Sequence, residues 1–509
     1  MRIDQSAKNV KTAWMLQLVH IMCQFFSRTV IIQIMSLDYA GLSGLFSNIL
    51  TMLSLAELGV GEAIIFSLYG PIARTETDTI KSIMTFYQKV YRFVGAFIFA
   101  AGVAVTPFIY SLIKDPPDIP HLRFIYVLYV INSAMSYFFS YKASYVTATQ
   151  NNYIVVRNNG IFEIARVACQ AAVLLVFRSY VGFMITGIAF VLLQNISITV
   201  IADRMFPYLR ERGDRIPGEI FEEIKKNTAA MVFHKIGTIV VFATDNLIIS
   251  KMIGLGAVAI YTNYTLITSA VTVFIAKFFN AIAASVGNLA VEESIEKQES
   301  AFKRIFFINF WLYTFSCTCL LVLLNPFIGY IWLRRESLLF STQIVLIIVV
   351  KTYFTGMRSA AQTFKNAKGL YWYNRYMPIY ESLINLVVSI ALAIPFGVAG
   401  VLIGTIVSTV TTCAWIEPHV LYKYGFKKSA SWYYRQYIGY LCIFAVVMAV
   451  TYGAASIAGG KGISAFVIRF LISIVVPNVM LLAIYGRSDN FRFMKNILVK
   501  RMLRRGGRG

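Results

Sequence analysis

The chain is short of charge. Only 14% of its 509 residues are Asp, Glu, Lys or Arg, and 58% are hydrophobic, with a mean hydropathy of +0.66. A soluble domain carries roughly 25% charged residues, so a soluble enzyme and a disordered scaffold are both excluded. Cysteine is scarce as well. Cys23, Cys169, Cys317, Cys319, Cys413 and Cys442 all fall inside apolar stretches, where neither a disulfide framework nor a zinc cluster would form. They are expected to be small buried hydrophobes. The four histidines, His20, His121, His234 and His419, are scattered. No HExxH, GxSxG or GxxxxGK[ST] string occurs, so no metal site, nucleophile or primary ATPase is expected. A long soluble stretch is also missing. The longest, residues 203–228, is too short for a folded basic domain, which excludes nucleic-acid binding in spite of a net charge of +23.

What is present is a series of fourteen apolar segments, near residues 14–35, 45–69, 91–113, 122–146, 160–177, 182–202, 229–249, 259–284, 302–324, 338–356, 377–395, 398–421, 438–457 and 464–485. Each approaches the roughly 20 residues needed to cross a bilayer. The first is too long for a signal-peptide core and no small-x-small cleavage site follows it, so it is expected to remain as an anchor. With the N-terminus inside, about 34 of the 47 Lys and Arg fall on the inner side and about seven on the outer, a strong positive-inside signal. Both termini are therefore expected in the cytoplasm of a plasma membrane. The tail with Lys495, Lys500, Arg501, Arg504, Arg505 and Arg508 forms a basic skirt against anionic phospholipid. All outer loops are short, which leaves no space for a catalytic domain there.

The chain also repeats itself with an offset of about 215 residues. Gly41-Leu-Ser-Gly-Leu-Phe-Ser-Asn48 lies over Gly256-Ala-Val-Ala-Ile-Tyr-Thr-Asn263, and Pro107-Phe-Ile109 over Pro326-Phe-Ile328. Tyr137-Phe-Phe-Ser-Tyr-Lys142 lies over Tyr353-Phe-Thr-Gly-Met-Arg358, and Asn158 over Asn374. The expected fold is an all-α polytopic membrane protein of about fourteen helices. Two six-helix lobes, residues 1–210 and 211–425, are related by a pseudo-twofold along the membrane normal. Two further helices occupy 426–486 and a basic tail 487–509. A parallel repeat of this kind suits alternating access around a central cavity.

Ionisable groups at membrane depth normally face a cavity or a partner. Arg28, Asp245 and Lys277 are the deepest, and Lys351, Glu57, Glu62 and Glu381 join them. Glu163 and Arg166, three apart, read as a structural ion pair. Lys142 and Arg358, equivalent by the repeat, fit snorkelling toward lipid phosphates about as well as substrate binding. Arg469 falls outside the repeat and reads as an anchor. The deep cations Arg28, Lys277 and Lys351 suit an anionic substrate, while the acids are candidates for a coupling cation. Tyr261, Tyr264 and Tyr137 are deep enough to stack on sugar rings, although aromatic residues at helix ends usually form the interfacial belt.

Leu55-Ala-Glu-Leu-Gly-Val-Gly-Glu-Ala63 resembles the ELGxGxA signature of polysaccharide-repeat flippases, of the O-antigen and capsule type. So does Asp245-Asn-Leu-Ile-Ile-Ser-Lys251, followed by Gly256 and Tyr261-Thr-Asn263. These flippases belong to the multidrug/oligosaccharidyl-lipid/polysaccharide exporter superfamily. The resemblance implies a two-lobe transporter moving undecaprenyl-diphosphate-linked oligosaccharide from the inner to the outer leaflet of a bacterial plasma membrane. Polymerase and glycosyltransferases of the same pathway would be its partners. The motif match carries over Glu57, Glu62 and Asp245; Arg28 and Lys277 are added by depth. Substrate contacts are then expected from Arg28, Lys277, Lys351, Glu57 and Tyr261, and ion coupling from Asp245, Glu62 and Glu381. No cofactor is implied beyond a proton or sodium gradient. A drug or small-solute antiporter is the competing reading. A major-facilitator protein would also be six plus six, but the loop after the second helix reads Gly70-Pro-Ile-Ala-Arg-Thr-Glu76, without the Gly-x-x-x-Asp-Arg-like pattern of that family. A membrane enzyme of cell-wall assembly is disfavoured by the missing catalytic constellation.

Overall fold

The computed structural model describes the backbone of residues 2–57 and 59–495, and their side chains except those of 2–13, 55–56, 227, 229–243, 284 and 291. The tail cations from Lys500 onward, and the side chains of Lys8, Lys11 and His234, lie outside the described residues. Every regular element among the described residues is helical. In hydrocarbon no water is available to backbone N–H and C=O groups, so a long apolar segment satisfies them internally as a helix. The protein is an all-α polytopic membrane protein.

Twelve helices among the described residues are long and apolar enough to cross a membrane, and they coincide with twelve of the fourteen expected segments. The segment near 45–69 is divided. Helix α2 (Leu37–Leu53) gives way to a 3-10 turn, Ser54–Glu57, and α3 (Val60–Arg74) starts after Gly59, whose φ of 82° is left-handed. The segment near 229–249 lies within the unbroken helix α9 (Gly218–Met252), most of whose side chains there are outside the described set.

The chain packs as two compact units, Met1–Ala259 and Ile260–Gly509. The first contains α1 (Arg2–Ile34), α2, α3, α4 (Thr77–Val105), α5 (Leu122–Phe139), α6 (Tyr141–Ala148), α7 (Asn152–Phe177), α8 (Tyr180–Met205) and α9. Within it α1 packs on α7, α4 on α5, α5 and α7 on α8, and α9 on α2 and α3. The end of α9 is stapled to the turn after α4: Ser250 Oγ donates to the Leu112 carbonyl at 3.0 Å, and the Lys114 amide to the Ser250 carbonyl at 3.0 Å.

The boundary falls inside α10 (Leu255–Glu292). The second unit continues with α11 (Ile295–Pro326), α12 (Thr342–Met357), α13 (Ser359–Ala367), α14 (Met377–Phe396), α15 (Val398–Thr411), α16 (Cys413–Val420), α17 (Ser431–Ile457) and α18 (Ile463–Tyr485). Its centre is α11. Of the most apolar 18-residue window of α11, 72% is buried, against 50% or less in every other candidate span. Aromatic rings bind α17 to this centre. Phe310 stacks on Tyr440 at 3.9 Å, and Tyr353 of α12 on Phe444 at 3.9 Å. The tight link near residue 396 is a true hairpin. A Cβ added at Gly400 would lie 2.0 Å from the Leu392 carbonyl oxygen, so the small-residue spacing Gly400-x-x-x-Gly404 is what lets α15 touch α14.

Two of the six cysteines depart from expectation. Cys317 and Cys413 are buried, but Cys169 and Cys442 are exposed on the outer faces of their helices. In a bilayer such a face meets lipid, which is as apolar as a protein core, so the residue type alone does not distinguish the two positions.

Candidate substrate and coupling sites

In the first unit, Glu57 ends the 3-10 turn that divides the second apolar segment. Its Oε1 accepts from the Tyr91 hydroxyl at 2.5 Å, and Tyr137 stands beside the same carboxylate. Tyr87 packs edge-on against Tyr91, with ring centroids 4.5 Å apart, and donates to Ser144 Oγ at 3.1 Å. Gly61 makes the arrangement possible. A Cβ there would lie 2.2 Å from the Tyr91 hydroxyl oxygen and 2.9 Å from Glu57 Oε1. Glu62 occupies the first turn of α3 and is exposed.

Arg28 bonds to backbone carbonyls of two segments. Nη1 donates to the Ala40 carbonyl at 2.8 Å and Nη2 to the Ala259 carbonyl at 2.8 Å. The Tyr129 and Tyr180 hydroxyls, 2.7 Å apart, lie in its field. Asp245 is 3% exposed on α9, between the buried Thr244 and Asn246.

In the second unit two predicted residues meet. Lys351 Nζ donates to the Tyr261 hydroxyl at 2.8 Å and stands 5.5 Å from the ring centroid. Lys277 is partly buried on α10. Tyr264 is fully buried; it donates to Asn325 Oδ1 at 2.5 Å and accepts from the Phe340 amide at 2.9 Å. It is a latch inside the unit, which removes it as a sugar-stacking platform.

Glu381 does not stand alone. Arg358 Nη1 donates to its Oε1 at 3.0 Å, while Arg358 Nε and Nη2 grip Glu417 at 3.1 Å each. Gln362 adds a bond to Glu417 at 3.1 Å, and Lys365 lies 3.7 Å away. Lys142 is likewise paired, its Nζ 2.5 Å from Asp203 Oδ1. Both repeat-related cations are therefore held in ion pairs, so neither snorkelling nor an open substrate contact describes them. Glu163 does meet Arg166, at 3.7 Å, and also His20 Nδ1 at 2.6 Å. Arg469 donates to the Gly460 carbonyl at 3.4 Å, as an anchor would. Asp203, Glu417 and Lys365 were not among the expected site residues. Their signal was available for Glu417: a lone acid inside the apolar run 398–421.

Outside the spans, Lys461 pairs with Glu336 at 2.5 Å; Lys428, also outside them, pairs with Glu299 of α11 at 2.6 Å. Each carboxylate, through its hydrogen bond, raises the lysine's pKa above the ordinary value. Among the described residues no group of three or more His, Cys, Asp or Glu could hold a metal ion.

No family model matches the chain and no curated protein matches its sequence. Solved structures do match. An inward closed conformation of the lipid II flippase MurJ superposes with a TM-score of 0.67, covering 94% of this chain and 98% of that one at 12% identity. An inward-facing multidrug resistance MATE family transporter of the MOP superfamily gives 0.63, covering 82% and 99% at 13% identity. A mutant of the Vibrio cholerae MATE transporter VcmN gives 0.59, covering 82% and 98% at 12% identity. The fold is the one shared by these solved flippase and transporter structures. It accounts for the helical content and the many crossings. At these identities it is the fold that is shared, and the chemistry has to be argued from the residues.

Proposed function

We propose that this chain is a flippase that carries undecaprenyl-diphosphate-linked oligosaccharide repeat units from the inner to the outer leaflet of a bacterial plasma membrane. It would do so by alternating access of its two six-helix repeats, with both termini in the cytoplasm, for surface polysaccharide synthesis. The observation that carries the reading is the extent of likeness. The lipid II flippase structure covers 94% of this chain and the multidrug transporters 82%, so the better match is to a protein that handles a lipid-linked substrate. The residues support it in kind. Lys351, held against Tyr261, presents a cation beside an aromatic ring, a pairing that suits a diphosphate next to a sugar. Arg28, Lys277 and Glu57 complete the proposed substrate contacts. Asp245, Glu62 and Glu381 are the proposed coupling acids. Of these Glu381 is the most committed, since a cation would have to displace Arg358.

The test is deletion of the gene with analysis of the lipid-linked intermediates. Accumulation of an undecaprenyl-diphosphate oligosaccharide on the inner leaflet is the expected result. The alternative, a cation-coupled multidrug or small-solute antiporter, rests on the likeness to the MATE transporters. Drug hypersensitivity of the deletion strain with unchanged lipid-linked intermediates would favour it.

A further inference from the structure

A polar cavity of about 290 Å3 lies in the first unit, away from every residue assigned above to substrate or coupling. One wall is a single face of α4: Lys81, Thr85, Gln88 and Arg92 recur at helical spacing. From Lys81 to Arg92 the wall runs roughly 16 Å along the helix axis. The opposite side is the segment after α8, where Arg210 and Arg212 reach the same space. The floor is the Lys142–Asp203 ion pair.

Five of the lining residues are cations and only two are acids. Asp203 is taken by Lys142, and Glu211 by Lys81 at 2.8 Å. Among the described residues Arg92, Arg210 and Arg212 form no ion pair. The cavity thus keeps three guanidinium groups available to an anion. It is also a built feature. The Gly213 amide donates to Thr85 Oγ1 at 3.0 Å, and a Cβ on Gly213 would lie 2.2 Å from the Ser82 amide nitrogen. Only glycine lets the arginine-bearing segment press this closely on α4. Gln88 donates to the Tyr141 hydroxyl at 2.9 Å, which fixes the remaining wall.

We infer that this cavity binds a phosphate group, supplied by the headgroup of an anionic glycerophospholipid of the inner leaflet. Guanidinium groups match phosphate oxygens with paired, charge-assisted hydrogen bonds. The charge tally puts this end of the bundle on the inner side, where anionic headgroups gather next to basic protein segments. The inference needs a polytopic membrane protein with this end on the inner side and is independent of the transport reading.

Native mass spectrometry of the full-length protein in detergent tests it, with phosphatidylglycerol, phosphatidylcholine and inorganic phosphate as separate probes. The wild-type chain should retain phosphatidylglycerol in preference to phosphatidylcholine. The double variant Arg210→Gln/Arg212→Gln, whose sites are exposed, should keep its melting temperature and lose at least tenfold in apparent affinity for phosphatidylglycerol. Lys461→Gln, in the other unit, should bind as wild type. Equal retention of the two lipids, or an unchanged double variant, overturns the site. Inorganic phosphate binding to lipid-free protein, lost in the double variant and competing with phosphatidylglycerol at millimolar concentration, overturns the lipid as the source.

Discussion

Lys142 Nζ lies 2.5 Å from Asp203 Oδ1, and the relationship is repeated in the second unit by Arg358 and Glu417. Lys142 to Arg358 is 216 residues and Asp203 to Glu417 is 214, the offset at which the sequence duplicates. In each unit the cation sits just past a break in a helix, at Ser140 or at Arg358 itself, and the acid stands on a helix two elements or more downstream. A buried charge requires its partner, so duplication of the segment without the pair would have left an uncompensated ion in each unit.

Removing one member should therefore be worse than removing both. Lys142→Met leaves Asp203, which is 17% exposed in its side chain, without its partner, and a loss of about 3 kcal/mol in stability is expected. Lys142→Met combined with Asp203→Leu should recover most of it. Melting curves of the three detergent-solubilised proteins check this; equal melting temperatures for the single and double variants would contradict it.

Arg358 should be less replaceable than Lys142. Its guanidinium serves two carboxylates at once, bidentate on Glu417 and single on Glu381. A lysine is a point charge and cannot reproduce that fork. Arg358→Lys is expected to fall about 2 kcal/mol below wild type, close to one lost pair of charged hydrogen bonds. Lys142→Arg should stay nearer to wild type, because Asp203 is the single ion-pair partner Lys142 has among the described residues. Thermal stability of the two conservative variants, measured side by side, decides.

The fold was legible because hydrocarbon leaves few choices: apolar length specifies a helix, and twelve of fourteen segments could be read from length alone. The division at Gly59 was not legible as a break, since Leu55 and Ala56 just before it are good helix formers and the apolar run continues through Val60. Lys351 and Tyr261, 90 positions apart, were each picked out by depth, and the structure joins them. Asp203, at the end of an apolar run, looked like an ordinary loop acid. Its role depends on which helix packs beside it, and a single sequence carries no record of that.

Lys461 and Glu336 offer a titration test outside the membrane spans. The hydrogen bond to Glu336 raises the Lys461 pKa above 10.5. A group whose pKa is raised on folding contributes stability below its unfolded pKa and loses it as pH rises through the folded value. Both side chains are largely exposed, 68% and 60%, so solvent screening keeps the contribution small. The melting-temperature difference between wild type and Lys461→Gln should be small and flat from pH 6 to 9 and should vanish only above the ordinary lysine range. A difference that changes between pH 6 and 8 would assign the effect to another group.

On the flippase reading, Tyr261→Phe and Lys351→Gln separate two uses of one contact. The phenylalanine keeps the ring face beside Lys351 and removes only the hydroxyl acceptor. Export of surface polymer should fall modestly. Lys351→Gln removes the cation and should abolish export while the protein remains in the membrane. Wild-type export by Lys351→Gln would remove Lys351 from the substrate path.

Gly61 carries the sharpest prediction, because its neighbours leave no space. The Tyr91 hydroxyl would stand 2.2 Å from a new Cβ, and it is already fixed by Glu57 on one side and packed against Tyr87 on the other. Gly61→Ala must push Tyr91 off Glu57 or shift α3. Overpacking of this kind costs about 1–3 kcal/mol, and a partly buried carboxylate that loses its donor adds to it. Gly61→Ala should therefore lower the melting temperature and, on the flippase reading, reduce export. Adding Tyr91→Phe should restore much of the stability by removing the colliding oxygen, but not the export, if the Glu57–Tyr91 bond is itself needed. Full recovery of both in the double variant would show that Glu57 acts without its tyrosine.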